Sequence, residues 1–309
     1  MLTVIAWRAK IFTVIKMELL QIIYFCDAAE TQNFSKTAHK FQVPPSNISQ
    51  SVHRLETELD TEFFKRSANR IVLNEQGKLF YERTKKALAL LDEAKKVIND
   101  AGNTVGGEIK ICVNTNRQIV TQTIEKFREI YPNVSFVLNH DISSVMDFDL
   151  IIGDDMIGRN TLKKQLLLED KIVLAISKDN PLSQKNRIYV EDLRNQRFIT
   201  MTNHSSLYRH TERICKAMNF VPDIAIQCDD PFYVRKYVAL GLGIAFIPYI
   251  SQRGQFPDNV VFKDAGNYKR KTFVYWNPKS HMTKAVKSFL EALTEEFKTA
   301  TEKEKLILL

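Results

Sequence analysis

The stretch VPPSNISQSVHRLE (residues 43–56) sets Ser46, Asn47, Ser49, Gln50 and His53 among Ile48, Val52, Leu55 and, just beyond, Leu59. Such small or forked polar groups suit base edges. A glutamine amide pairs both edge atoms of an adenine, and a good pair of this kind discriminates by roughly 1–3 kcal/mol. Ser46, Ser49 and His53 suit base edges or phosphates, and Arg54 and Ser35 extend the same polar set. Positive charge follows in FFKRSANRIVLNEQG, where Lys65, Arg66 and Arg70 surround a turn before the apolar run IVL. Charge of that kind holds phosphates and carries little sequence information.

Catalytic patterns are weak by contrast. Asp229 and Asp230 are adjacent, so on a strand their carboxylates point to opposite faces and make a poor acid–base pair. No Ser–His–Asp order and no metal-spaced histidine cluster is present, and Cys26, Cys112, Cys215 and Cys228 form no CxxC pair. The sequence points away from an enzyme, a zinc site or a cofactor, and toward a reducing compartment. GLGIAFIP is a helix exit into a strand, not a phosphate cradle.

The polar set needs elements to hold it. Leu19, Ile22, Ile23, Cys26 and Ala29 predict an amphipathic helix over 18–30. Ser35 is the expected cap of a short helix SKTAHKF, in which Ala38 is small enough for close packing. Pro44 and Pro45 suit the start of a further helix, because proline fixes φ near the helical value where amides lack intrahelical partners. Ile48, Val52, Leu55 and Leu59 then recur at steps of four, three and four, a core-facing stripe. A short helix, a turn and a longer helix, entered by a preceding one, is the helix-turn-helix plan, which places the first turn of its second helix in a major groove. The basic hairpin after it reads as a wing.

The stretch from Met17 to Gly77, through AE–NFSKTA, SNISQSVHRLE, LDTEFFKR and LNEQG, resembles the winged helix-turn-helix of LysR-type transcriptional regulators without a gap. The resemblance implies that Pro45, Ser46, Ser49 and Gln50 fall where that family meets bases or nearby backbone, with Arg70 on the wing. Pro44 stands in place of the usual serine or threonine cap, and Gln50 in place of a common arginine. The implied partner is double-stranded DNA carrying an interrupted palindrome.

A fourth helix is expected over 75–100, capped by Asn74. Phe80, Thr84, Ala87, Leu91, Ala94 and Ile98 make a heptad seam suited to dimerisation. The resulting domains are 17–74 for DNA binding, 75–100 as linker and dimerisation helix, and 107–298 for effector binding. From Glu108 onward, strands such as EIKICV, FDLIIG, KIVLAIS and IAFIP alternate with helices, which predicts an α/β fold with parallel sheets. KFREIYPNV, LLLEDKIVLAISKDNPLS, VEDLRNQRFITM and VALGLGIAFIP resemble the periplasmic-binding-protein-like effector domain of the same family.

That resemblance implies two α/β lobes, 107–178 with 263–298 and 182–260, and a small-molecule effector between them. Thr115 and Asn116 follow the first strand, while Thr202, Asn203, His204 and Ser205 precede a helix whose amide donors suit an anionic ligand. Phe232 and Phe246 fall near the cleft in the family. Between VSFVLNH and FDLIIG only about eight residues stand where the family has a helix, too few for an ordinary parallel crossover of about a dozen. The loop NHSSLYR carries serine where a peroxide-sensing variant has cysteine.

Composition bounds the rest. The net charge is +8 over 309 residues, yet acidic and basic side chains balance over 17–102, so global charge says little about DNA. Residues 1–16 superficially resemble a signal peptide, but Arg8 and Lys10 interrupt the apolar run, and Met17 offers an alternative start. The expected setting is the cytoplasm, with no membrane partner and a self-associating dimer or tetramer. The competing reading is a solute-binding protein whose N-terminal domain is not a regulator.

Overall fold

The computed structural model describes residues 17–67, 70–100, 102, 104–140, 148–155, 161–203 and 205–307, which form two compact units dividing between Ile98 and Asn99. In the first unit, helices α1 (Leu19–Thr31), α2 (Phe34–Phe41) and α3 (Pro45–Glu58) precede the hairpin β1 (Phe64–Ser67)–β2 (Arg70–Leu73), and α4 (Glu75–Asp100) follows. Ile48, Val52 and Leu55 are wholly buried, as the spacing predicts, but Leu59, the last member of the expected stripe, falls at the C-cap and is 37% exposed.

The stripe expected on α1 is different. Leu19 is 48% exposed, while Tyr24, Phe25, Cys26 and Ala28 are buried. The helix packs into two clusters: Phe25, Cys26 and Ala28 with Val52, Leu55 and Phe63, and Tyr24 with Ala38 and Ile48. A helix held on two sides shows no single stripe. Asn33, rather than Ser35, caps α2 by accepting from the Lys36 amide. Asn74 does cap α4: its Oδ1 accepts from Gly77 N at 2.8 Å, and its Nδ2 donates to Glu62 O at 2.7 Å. Gly77 permits this approach, since a Cβ there would lie 2.2 Å from Phe63 O.

The second unit contains β3 (Gly107–Val113), α5 (Arg117–Ile130), β4 (Val134–Asn139), β5 (Leu150–Asp154) and β6 (Lys163–Ser177). Next come α6 (Val190–Arg194), β7 (Arg197–Met201), α7 (Ser206–Ala217), β8 (Asp223–Cys228) and α8 (Pro231–Ala239). The chain continues through β9 (Ala245–Pro248), α9 (Tyr249–Gln252), β10 (Val260–Trp276) and α10 (Lys284–Ile307). One sheet has the order β4-β3-β5-β10-β6-β9, and β7 and β8 pair beside it.

The sheet is mixed rather than parallel. β3 runs parallel to β4 and β5, but β10 is antiparallel to both β5 and β6, and β6 to β9. The cause is the return of the chain along β10, which spans both halves of the unit beside β6. Leu167, Leu168 and Val274 pack with Phe127, Phe289 and Phe297 in one core. Ile172, Leu174 and Ile176 pack with Phe198, Ile214 and Phe246 in another. The change of lobe therefore falls near 169–171 on β6 and between 265 and 274 on β10, inside the strands rather than at the 178–182 and 260–263 crossings expected from sequence. The short 140–148 crossover lies largely outside the described residues.

Candidate functional site

The polar face of α3 stands free of the core. Pro45, Ser46, Asn47, Gln50, His53 and Arg54 are exposed, and Ser49 is half-buried with its hydroxyl donating to Ser46 O at 3.1 Å. Ile48, Val52 and Leu55, on the opposite side, anchor the helix. Pro44 occupies the cap position and supplies no side-chain acceptor; its carbonyl instead accepts from the Asn47 amide at 3.0 Å. On the hairpin, Lys65 and Arg70 are exposed, with Arg70 opposite Ser67 at the last pair before the tip. The Arg66 side chain lies outside the described residues. Ser35 is exposed in the first turn of α2.

The seam expected along α4 divides into two parts. Phe80 stacks on Phe63 at 4.6 Å, and Thr84 is buried with its hydroxyl 3.4 Å from the Cys26 thiol, so both serve their own unit. Beyond them Leu90, Leu91, Val97 and Ile98 are 66%, 47%, 46% and 73% exposed, and Ala87 and Ala94 are exposed as well.

Where the lobes meet, polar groups are buried and face one another. Asp170 on β6 stands opposite Arg270 on β10, and neither is more than 5% exposed. Asp170 accepts from the Ile250 and Ser251 amides at 2.8 and 3.0 Å. Arg270 donates to Ser251 Oγ at 3.0 Å, and Asn116 Nδ2 donates to Thr272 Oγ1 at 2.7 Å. Ser251 also donates to Asn116 Oδ1. Burial raises the Asp170 carboxyl despite the pull of Arg270, and burial likewise lowers the Arg270 guanidinium.

This arrangement changes the expected effector set. Thr115 and Asn116 are buried, and Asn116 adopts φ 58° with its side chain committed to the Ser251–Arg270–Thr272 group. Phe246 is 1% exposed and stacks on Phe198 at 5.6 Å in the lobe core, which removes it from the ligand-facing residues. Phe232 is 56% exposed at the head of α8. Thr202 is half-buried, Asn203 is exposed, and Ser205 caps α7 by accepting from the Tyr208 amide. His204 lies outside the described residues.

Asp230 caps α8, accepting from Phe232 N at 2.6 Å, and stands 3.9 Å from Arg117 on the other lobe. Sequence reasoning missed Arg117, Asp154, Asp170, His210, Ser251 and Arg270. One legible signal was an acidic residue closing the otherwise apolar strand of FDLIIGD. Cys215 is buried and its thiol is pushed up to about 12 by that burial, which makes it a poor nucleophile.

Residues 19–78 match the model described as bacterial regulatory helix-turn-helix protein, lysR family, and residues 102–298 match the LysR substrate binding domain. The chain belongs to the LysR family. It is a DNA-binding transcriptional regulator carrying a two-lobed substrate-binding domain. Among its relatives, the transcriptional dual regulator GltC of Bacillus subtilis is 28% identical over 242 residues, covering 75% of this chain and 81% of GltC. The regulator AlsR of the same organism is 26% identical, covering 75% and 80%. In fold the LysR-family chain is similar to a full-length OxyR variant from Pseudomonas aeruginosa (TM-score 0.66, 17% identity, 91% and 97% covered). It is also similar to full-length CbnR complexed with its target DNA (TM-score 0.64, 16% identity, 92% and 100% covered).

Proposed function

We propose that the exposed face of α3 from Pro45 to Arg54 reads base edges of an interrupted palindrome, while Lys65, Arg66 and Arg70 hold phosphates or enter the adjacent minor groove. The observation that carries this reading is the division of α3 itself: a wholly buried Ile48–Val52–Leu55 side and an exposed, neutral Ser46–Gln50–His53 side. Base readout needs forked neutral groups held rigidly, and charge enters through the hairpin. Ser35, at the first turn of α2, is placed to contact backbone.

The distal part of α4 is the dimer seam in this proposal. Ala87, Leu91, Ala94 and Ile98 continue a heptad whose first members, Phe80 and Thr84, serve the domain core. A two-fold dimer matches two half-sites, and pairs of dimers give the tetramer. A small effector between the lobes, near Thr202, Asn203, Ser205 and Phe232, shifts the dimer's placement on DNA. Among the described residues no helix is long and apolar enough to cross a membrane. The working site of such a regulator is the cytoplasm, and its role is regulation rather than catalysis.

Gel shifts on the intergenic DNA beside its own gene test the reading. Gln50→Ala relaxes preference at one position of each half-site, a discrimination of about 1–3 kcal/mol. Arg70→Ala weakens all sites alike and lowers the salt slope by about one. Equal, non-selective losses for both variants overturn the assignment. In the same assay, Leu91→Ser with Ile98→Ser abolishes joint occupancy of two half-sites; unchanged joint occupancy removes α4 as the seam.

A further inference from the structure

The head of α7 is an anion position that the protein fills with its own side chain. Asp154 closes β5 on one lobe and is 3% exposed. Its Oδ2 accepts from the Ser206 hydroxyl, the first residue of α7 on the other lobe. The same oxygen lies 3.6 Å from Arg209 Nη2 and 3.9 Å from His210 Nε2. Thus three groups from one helical turn converge on a single carboxylate oxygen, at the helix end where the backbone dipole favours negative charge.

The ring of His210 supplies an independent sign that this is a built site. Arg213 Nη2 lies 2.8 Å from His210 Nδ1; since a guanidinium only donates, Nδ1 is the acceptor and the ring proton is on Nε2. His210 is 3% exposed, and that Nε2 has no hydrogen-bond partner. It faces Asp154 at a distance too long for a bond, leaving a buried donor turned toward the anion position. The strand end is fixed as well: Tyr275 donates to Asp154 O at 2.7 Å, and Thr272 pairs with Asp154 across β10.

We infer that Asp154 is a built-in occupant of the α7 anion position, tying the two lobes together and determining specificity by excluding an effector carboxylate from that position. The anionic ligand expected from sequence at this helix end is thereby replaced by an internal one. The inference rests on the reading of the cleft as the effector site and adds which chemistry that site rejects. Removing the Asp154 side chain leaves a small, donor-lined space matched to a one-carbon carboxylate.

Thermal unfolding of the full-length protein in sodium formate, against sodium chloride at equal ionic strength, tests this without any DNA. Asp154→Ala melts roughly 3–6 °C below wild type in chloride, the shift a lost charged contact gives at this domain size, and formate restores most of it in a saturable way. Wild type melts alike in both salts, and so does Asp154→Asn, whose amide still fills the space. If Asp154→Ala does not accumulate as folded protein, Asp154→Ser is read in the same way. Formate stabilising wild type as much as the alanine variant, or failing to rescue a destabilised alanine variant, overturns the inference. Gel shifts on the intergenic DNA judge the regulator assignment separately.

Discussion

Helix α3 and the interlobe cleft dispose their polar groups in opposite ways. On α3, Ser46, Asn47, Gln50 and His53 are exposed on a helix whose other side is wholly buried. In the cleft, Asn116, Asp154, Asp170, His210, Ser251 and Arg270 are each less than a tenth exposed. Asn116, Asp170, Ser251 and Arg270 bond with one another, Asp154 bonds Ser206, and His210 bonds Arg213. The difference teaches how each region is tuned. An exposed face changes specificity with little effect on folding, because its groups are solvated in both states. A buried network couples any change in ligand preference to stability, since each lost partner strands another polar group.

The sharpest way to break that contrast is to substitute one residue from each region and measure the same quantity. Arg270→Met leaves Asp170 buried opposite an apolar side chain and deprives Ser251 of a donor, which costs about 3–5 kcal/mol. Gln50→Ala changes an exposed side chain and moves stability by less than about 0.5 kcal/mol. Urea denaturation of the full-length variants gives both numbers. Similar losses for the two would erase the distinction between a solvated polar face and a buried, interlocked set of polar groups.

The same contrast explains what could be read from the chain. Helix α3 was legible because its signals are local: two prolines at its start, apolar steps of four and three, and a hairpin directly after it. Departures there are small and have close causes. Ser35 reads as a cap from sequence, but Asn33, two residues earlier, offers the same acceptor nearer the helix start. The single stripe expected on α1 does not form because Tyr24 and Phe25 serve opposite clusters.

In the second unit the two lobes were legible through alternating apolar strands and helices, but the lines along which they join were not. Glu169, Asp170 and Lys171 interrupt the apolar pattern in the middle of β6, and Asp264 to Lys271 do so in β10, so two long strands read as short ones. The bonds that explain those charges link Asn116 to Thr272 and Ser251 to Asp170, residues 156 and 81 positions apart. No spacing rule reaches that far. Asp154 carried a signal of its own, a carboxylate at the end of a buried strand, but its meaning depended on α7 of the other lobe.

A smaller effect sharpens the comparison through pH. His210 is held at about 4 rather than its ordinary 6.5, chiefly by burial, then by Arg213 and Arg270, against the opposing pull of Asp154 and Asp155. The unfolded chain therefore takes up a proton on this ring near pH 6.5, while the folded protein does not until about pH 4. The contribution of neutral, buried His210 to stability is whole above about pH 6.5 and declines as pH falls toward 4, a change of about 2–3 kcal/mol. His210→Gln removes the titration. The stability difference between wild type and this variant accordingly shifts against wild type by that amount between pH 7 and pH 4.5. Taking the difference cancels every carboxylate that titrates in both proteins. A difference that stays flat over this range would mean that the ring opens to water without unfolding, and the cleft would then resemble the solvated face of α3 more than its burial implies.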